Sequence, residues 1–543
     1  MSHHCRLYVN AITTNPIQNG NSWCTAYKSL QAALDRATTN QTPTDIWVAE
    51  GIYYPSKLYS PIGPVAPVGP DLPIPGGASG NTSLNLRTFD LPDNVSIFGG
   101  FKGCEKNLCE RDFKKHRTIL SGGNVYWHVI TAGNDITRTG ITATLDGIVI
   151  KLGCAQGPNA GSTLFPTFAY AHNYGGGIYS VFGSNLTLRH CGIFNNKALS
   201  TPDGAMTGIG GGIFSASSNL TIIGSYLKGN FSNGQAGALA SYFLYESVPH
   251  FTKIIASVFD QNNTVDFGGA IVFEGTNPFR SSEGRVVNCE FTHNYALEGG
   301  AVVVDSVQAF FKKCIFRKNH SSVNGGALAT TNVVNALAGS IVGFPATRYK
   351  TTIKCCEFHC NQTDGNADLR TAFLGGTNPG VDFPLGGGAL TCYLNGILEV
   401  YNSKFVDNDA VNSNGGAILN GNSAANLNEN TVQVYDAVTR VFKSEFIGNS
   451  AVKGGAIASF TTTTVLNPPI AIPQTATFLS VDDSLFKENT AIEAGGAIYF
   501  ENSTAEICDN NYQCNQAPIG RDVYGVSSTV NDRPVALYID PIC

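Results

Sequence analysis

The sequence is short of charge. Asp, Glu, Lys and Arg make up 14% of its 543 residues, where an ordinary globular chain carries roughly a quarter. Lys and Arg number 34 against 40 Asp and Glu, a net charge of −6. No basic surplus exists to meet a phosphate backbone, so no nucleic-acid partner is expected. No run of 18 apolar residues occurs, so no membrane insertion by a helix is expected. Met1, Ser2, His3, His4 and Cys5 lead into no apolar stretch. The chain is therefore expected to reach its destination by a route that does not use an N-terminal signal peptide. No Cys-x-x-Cys pair is present, and adjacent pairs such as His190-Cys191 diverge on a strand, so neither metal nor cofactor is expected.

What is abundant is glycine, 60 residues, and it recurs in a pattern. A Gly-Gly-Ala-aliphatic string begins at Gly268, Gly299, Gly325, Gly387, Gly415, Gly454 and Gly495, with looser copies at Gly176, Gly211 and Ala236. A Phe-x-x-Asn string alternates with it: Phe259 with Asn262, Phe291 with Asn294, Phe316 with Asn319, Phe358 with Asn361, Phe405 with Asn408, Phe446 with Asn449, and Phe486 with Asn489. Variants pair Ile193 with Asn196, Leu227 with Asn230, and Tyr512 with Asn515. The shortest period is near 26 residues, from Gly299 to Gly325, and no helical pattern fits between copies. One small supersecondary unit that stacks on its neighbours follows. Strands running in one direction without helices make a parallel β-helix. Phe is expected to fill each coil, and Asn to bond neighbouring backbone and the copies above and below at a turn. The glycine pair turns the chain. Ten coils at about 4.8 Å predict one rod about 50 Å long rather than three or four domains. Two residues before each Phe stand Cys191, Ser225, Ser257, Cys289, Cys314, Cys356, Ser403, Ser444, Ser484 and Asn510. They share the inward face of the Phe, a column of small buried residues in which Cys289 and Cys314 either come within disulfide range or stay reduced as small buried hydrophobes.

The N-terminal part reads differently. Tyr27, Leu30, Leu34 and Ala37 fall at helical spacing within 24–37, which predicts a short helix plugging the apolar end of the solenoid. The segment Ile46-Trp47-Val48-Ala49-Glu50-Gly51-Ile52-Tyr53, with Val95-Ser96-Ile97-Phe98-Gly99-Gly100-Phe101 and Leu145-Asp146-Gly147-Ile148-Val149-Ile150, resembles bacterial surface proteins with a pectin-lyase-like β-helix. The two repeat strings resemble those of chlamydial polymorphic outer membrane proteins. The resemblance implies an all-β, single-stranded right-handed parallel β-helix with a capping helix, displayed on a surface and serving adhesion or scaffolding without catalysis. The sequence divides into a cap and first coils over 1–120, with a Pro-rich insertion at 55–76, a repeat β-helix over 121–525, and a tail over 526–543.

Insertions fall after the glycine strand at 240–252, 273–284, 329–350, 420–434 and 460–476, which predicts one decorated edge. Two are apolar, and Val333, Leu337, Ile341, Phe344, Val465, Leu466, Ile470 and Ile472 are candidate interface residues. They point to a homo-oligomer or to contacts with neighbouring structural proteins of a virion, sheath or cell envelope. Between residues 61 and 75 Pro recurs at the polyproline II period, as a recognition arm or a stiff loop. The alternative function is a β-helix that binds or cleaves a polysaccharide, with a glycan as partner. Cleavage needs two carboxylates flanking a groove, but Asp482 and Asp483 point to opposite faces, and Asp260, Asp407 and Glu488 share no column. No catalytic residue is therefore assigned. Sequence proximity makes Cys104 with Cys109, and Cys508 with Cys514, candidate disulfides. Sequons at ladder positions Asn230, Asn262, Asn319 and Asn361 are expected to be incidental, because a buried amide is a poor glycan acceptor.

Overall fold

The computed structural model describes residues 5–40, 42–58, 85–134, 139–157, 172–201, 207–243, 249–275, 282–332, 334–335, 342–343, 348–366, 368–369, 385–421, 423–428, 431–461, 477–530 and 533–539. Two compact units are present: Met1–Tyr242 with His250–Val258, and Phe243–Pro249 with Phe259–Cys543. The fold is that of a right-handed parallel β-helix.

In the second unit one coil consists of a glycine strand (Val302–Asp305), a middle strand (Gln308–Lys312), an aromatic strand (Ile315–Arg317) and a short strand (His320–Asn324). Each pairs in parallel with its counterpart on the next coil: Val302 opposite Leu328, Phe311 opposite Ile353, Phe316 opposite Phe358 and Ser321 opposite Thr363. Side chains alternate along the middle strand. Ala309 and Phe311 are buried, while Gln308, Phe310 and Lys312 face outward. β-Branched and aromatic residues suit this half-buried pleat.

Two corners of the coil have constant length. The middle and aromatic strands are joined by two residues, Lys313 and Cys314, and the aromatic and short strands by two more, Lys318 and Asn319. In each pair the first residue is left-handed (Lys313 φ 54°, Lys318 φ 52°) and the second points inward. The pattern repeats at Asn402-Ser403 and Asp407-Asn408, and again at Asp483-Ser484 and Glu488-Asn489. Non-glycine residues pay roughly 1–2 kcal/mol for this conformation, so the inward residue must hold the corner in place.

The inward Asn does so with all its hydrogen-bonding capacity. Asn294 Oδ1 accepts the backbone N–H of Asn262 (3.0 Å) and its side-chain amide (3.1 Å). Asn294 Nδ2 donates to Phe259 O (3.0 Å) and to Asn319 Oδ1 (2.9 Å). Two coils on, Asn361 Oδ1 accepts the backbone N–H of Asn319 (3.1 Å) and its side-chain amide (3.0 Å). Asn361 Nδ2 donates to Phe316 O (3.0 Å) and to Asn408 Oδ1 (2.9 Å). The same four bonds recur at Asn408, Asn449 and Asn489. The expectation that Asn262, Asn294 and their successors bond the copies above and below is thus met, and the burial of both Asn262 and Asn294 fits it. The last amide, Asn515, donates to Phe486 O and to Asp522 Oδ1 (2.9 Å). Phe259, Phe291, Phe316, Phe358, Phe405, Phe446 and Phe486 stack with centroids between 4.6 and 4.9 Å apart. That spacing matches the strand separation.

The column before the Phe is a second ladder. The backbone N–H of Cys356 donates to Ser403 Oγ (3.1 Å), that of Ser403 to Ser444 Oγ (3.2 Å), and that of Ser444 to Ser484 Oγ (3.1 Å). Each hydroxyl donates to the carbonyl two residues earlier, as Ser403 does to Tyr401 O (2.9 Å). The two glycines of each pair serve different ends. Gly454 adopts φ 65°, which glycine tolerates without strain, whereas a Cβ on Gly455 would collide with the carbonyl oxygen of Gly496 on the next coil.

The first unit carries the same corners with different contents. Ile150, Ile193 and Leu227 occupy the place of the Phe, and Asn196 donates to Asn230 Oδ1 (3.0 Å). Gly153 stands where the preceding Asn would be, and its N–H donates to Asn196 Oδ1 (2.9 Å). The helix spans Leu30–Thr39, shorter than the 24–37 periodicity implied at its start. Ser29 caps it by accepting the Gln31 N–H, while Trp23–Thr25 form a separate 3-10 turn and Tyr27 pairs with Val9 as a bridge. Leu30, Ala33, Leu34 and Ala37 are buried against the strands Cys5–Val9, Thr44–Ala49 and Arg87–Asp90. Trp47 stacks on Phe101 at 4.6 Å, with Arg6 over its other side. In place of a simple tail, Val523–Val530 pairs with Arg533–Ile539 as an antiparallel hairpin.

Candidate functional site

The glycine strand is the element with variable surroundings. Between Val302–Asp305 and the following middle strand lie only residues 306–307, yet 276–282, 332–349, 422–437 and 461–477 separate the equivalent strands on other coils. Insertions also enter at its other end. Residues 364–389 precede Leu390–Cys392, and in the first unit 156–177 precede Ile178–Val181. The sequence reading recognised only the first set. Both sets flank one face, the outer side of the glycine strands. The candidate interface residues Val333, Leu337, Ile341, Phe344, Val465, Leu466, Ile470 and Ile472 lie outside the described residues, as do 59–84, which contain most of the Pro-rich segment.

In the second unit this outer face runs in register through Val272, Val303, Ala329, Thr391, Leu419, Ala458, Tyr499 and Tyr524. Leu419, Ala458, Phe460, Ala494 and Tyr499 form one buried apolar cluster. Carboxylates punctuate it. Tyr499 donates to Glu501 Oε2 (2.7 Å), with Lys453 5.0 Å above its ring, and burial and Glu501 together push the phenol pKa up. Tyr393 donates to Glu298 Oε2 (2.5 Å), and Asn324 Nδ2 to Glu298 Oε1 (3.1 Å). Glu274 and Asp305 stand opposite each other on successive coils, both buried, and Ser306 donates to Asp305 (2.9 Å). The sequence signal for this pair was an acidic residue at the fourth place of the glycine strand, which went unused. At the edge of this face, burial raises the Asp266 carboxyl to about 6.

In the first unit the same outer face is aromatic. His128 lies 5.1 Å from Tyr179, Tyr179 5.6 Å from Phe214, and Phe214 5.5 Å from Tyr242. His172 packs 4.7 Å from Trp127. Burial lowers the pKa of His128 to about 4 and that of His172 to about 3, the latter also through repulsion from His128. Both rings are therefore neutral at pH 7.

The other sequence candidates lie away from this face. The ladder residues, Asn262 and Asn294 among them, are sealed inside the coils and serve the scaffold rather than a surface. Asp407, Glu488 and Asp483 occupy left-handed corners, Asp483 3.5 Å from Lys443. Asp260 accepts from Thr292 (2.9 Å). Among the described residues no group of three or more His, Cys, Asp or Glu could hold a metal ion, and no helix is long and apolar enough to cross a membrane. Cys104, Cys109, Cys508 and Cys514 are exposed free thiols rather than the pairs their spacing allows. Cys508 ends a middle strand and Cys514 sits at the corner after the aromatic strand, so the two leave from different corners. Around Cys104, the Glu105 carboxylate already holds the loop by accepting from the N–H groups of Lys102, Gly103 and Cys104.

A family model, the Chlamydia polymorphic membrane protein repeat, matches residues 483–501. That stretch holds the corner pairs Asp483-Ser484 and Glu488-Asn489, with Phe486 between them, and the Gly495-Gly496-Ala497 string with its strand Ile498–Glu501. The chain is thus a β-helix-type repeat protein with a repeat similar to that family's. No curated protein and no solved structure matches.

Proposed function

We propose that this chain is a non-enzymatic surface protein whose adhesive or structural contacts are made by the outer face of its glycine strands. The observation that carries this reading is the placement of the insertions. Two corners of every complete repeat coil keep a two-residue link, while chain length varies only at the two ends of the glycine strand. Variable segments on a rigid scaffold are where recognition is commonly built. The matched repeat, from a membrane-protein family, supports display on a cell surface or envelope. A homo-oligomer or a neighbouring structural protein is the expected partner. Replacing residues 276–281 and 462–476 by two-residue links, as at 306–307, tests it. Sedimentation and binding to envelope fragments from the source should both weaken while the circular dichroism spectrum is kept. Unchanged association by the shortened protein would overturn the proposal.

A second reading, a polysaccharide-binding or polysaccharide-cleaving β-helix, draws on Glu274 and Asp305. Successive coils place equivalent residues about 4.8 Å apart, near the carboxylate separation of about 5 Å in retaining glycosidases. Under this reading Glu274→Gln abolishes glycan turnover. Absence of both binding and turnover by the unaltered protein across acidic and neutral polysaccharides would leave only the first reading.

A further inference from the structure

Three buried thiols occupy one column on successive coils. Cys289, Cys314 and Cys356 each stand two residues before Phe291, Phe316 and Phe358, whose strands pair in register. Their exposures are 3%, 0% and 1%. The Ile315 N–H donates to Cys289 O and the Glu357 N–H to Cys314 O (both 2.9 Å), so the three backbones are directly stacked. The Cys314 thiol lies 3.5 Å from the carbonyl oxygens of Val286, on the coil before, and of Lys312, and the Cys314 N–H donates to Cys356 Sγ on the coil after.

Hydrogen bonding alone does not account for cysteine here. On later coils Ser403, Ser444 and Ser484 fill the same position, and their hydroxyls accept the preceding N–H at 3.1–3.2 Å. Cys356 Sγ accepts the Cys314 N–H at 3.4 Å, and sulfur is the weaker acceptor. What three adjacent thiols add is covalent chemistry. In-register parallel strands hold equivalent Cα atoms about 4.8 Å apart, inside the 4.4–6.8 Å range of disulfides. Cys289 and Cys356 are two coils apart, about 9.6 Å, which is outside it.

We infer that Cys314 is the shared member of a disulfide lock, pairing with Cys289 or with Cys356 when the coils close in the presence of a low-molecular-weight disulfide such as oxidised glutathione. The Cys314 thiolate attacks one glutathione sulfur, forming a mixed disulfide and releasing one glutathione thiolate. The thiolate of Cys289 or Cys356 then attacks the Cys314 sulfur, forming the protein disulfide and releasing the second glutathione. Two protein thiols are oxidised and one glutathione disulfide is reduced to two thiols. Exchange takes place before the coils seal, because no oxidant reaches the column afterwards. The lock joins consecutive coils of the second unit.

The test is refolding of the full chain in a glutathione redox buffer, followed by acid quench, alkylation in denaturant, proteolysis and mass spectrometry. One disulfide linking the Cys314 peptide to that of Cys289 or Cys356 is expected, at the loss of two hydrogens. It should resist reductant until the protein unfolds. Cys314→Ser, which places at this site the residue found on later coils, should fold and carry no disulfide in the column. Protein with a native spectrum whose three thiols are all alkylated would overturn the inference, as would cross-links from these thiols to cysteines elsewhere. If the redox buffer yields no native protein, the same mass readout on chain exported to an oxidising bacterial periplasm decides between the same outcomes.

Discussion

The two units handle buried polarity by different means. In the second, uncharged amides repeat at one position, so each Asn is at once donor and acceptor for its neighbours. In the first, among the described residues, only Asn196 and Asn230 take part in such a ladder, and charge does the work in earlier coils. Asp146, buried at an early corner, is held between Arg111 (2.7 Å) and His190 (3.0 Å), and His190 stacks on Phe113 at 5.2 Å. Periodicity allows one neutral side chain to satisfy a whole column. Where the sequence is not periodic, each corner needs its own partners.

The largest effect should come from the aromatic column. Phe358→Ala is expected to cost about 4 kcal/mol, because rings on both sides hold the cavity open, while Ile193→Ala in the first unit costs about 3 kcal/mol. Urea unfolding followed by hydrogen exchange in each unit measures both, and equal losses would show that stacking adds nothing beyond size. Next, Asn361→Ala should cost about 3 kcal/mol by leaving the Asn319 N–H and amide without an acceptor, against about 2 kcal/mol for Asn196→Ala, which strands the Gly153 N–H and no side-chain amide behind it. A penalty independent of position would refute the chain-like ladder.

Acid should separate the units by about 2 kcal/mol. The folded pKa values of His128 and His172 lie below the unfolded value of about 6.5. The unfolded chain therefore takes up protons first, and the first unit loses stability as pH falls from about 6.5 towards 4. Asp266 in the second unit has a folded pKa raised to about 6, so its contribution runs the other way and improves on acidification. Exchange rates at pH 7 and pH 4.5 should diverge between the units, and parallel changes would contradict the assignment. The smallest effect is expected at Gly183, φ 75°, where a Cβ would meet open space. Gly183→Ala should cost about 1 kcal/mol through backbone strain alone, visible as a lowered melting temperature.

Much of this was legible because stacking writes itself into the sequence as repetition. Phe358 and Asn361 could be placed inward from spacing alone, and the small column at Ser403 and Ser444 was visible as a column. That its hydroxyls bond backbone across coils was not visible, since a small buried residue and a hydrogen-bonding one look alike in sequence. The helix start was misplaced because Tyr27 keeps helical phase with Leu30 while Ser29 caps the helix in between. The second set of insertions was missed because segments such as 364–389 end at a glycine string, and only the segments following those strings were compared. Glu274 and Asp305 escaped notice because only stacked coils bring residues 31 positions apart into register.

The Asn ladder has a direction. Every interior amide, from Asn294 onward, receives two hydrogen bonds from the coil before it, returns one to that coil and passes one forward. Gly153 begins such a series without a side chain, and Asp522 ends one by supplying the acceptor that a further Asn would have given. A duplicated gene segment encoding one whole coil could enter between these terminators and leave every bond count intact. A segment that carried a corner Asn without the rest of its coil would strand a donor, whereas extra length at the ends of the glycine strand does not. The ladder thus makes coil number free to drift over evolutionary time while holding the reading of each coil to whole units.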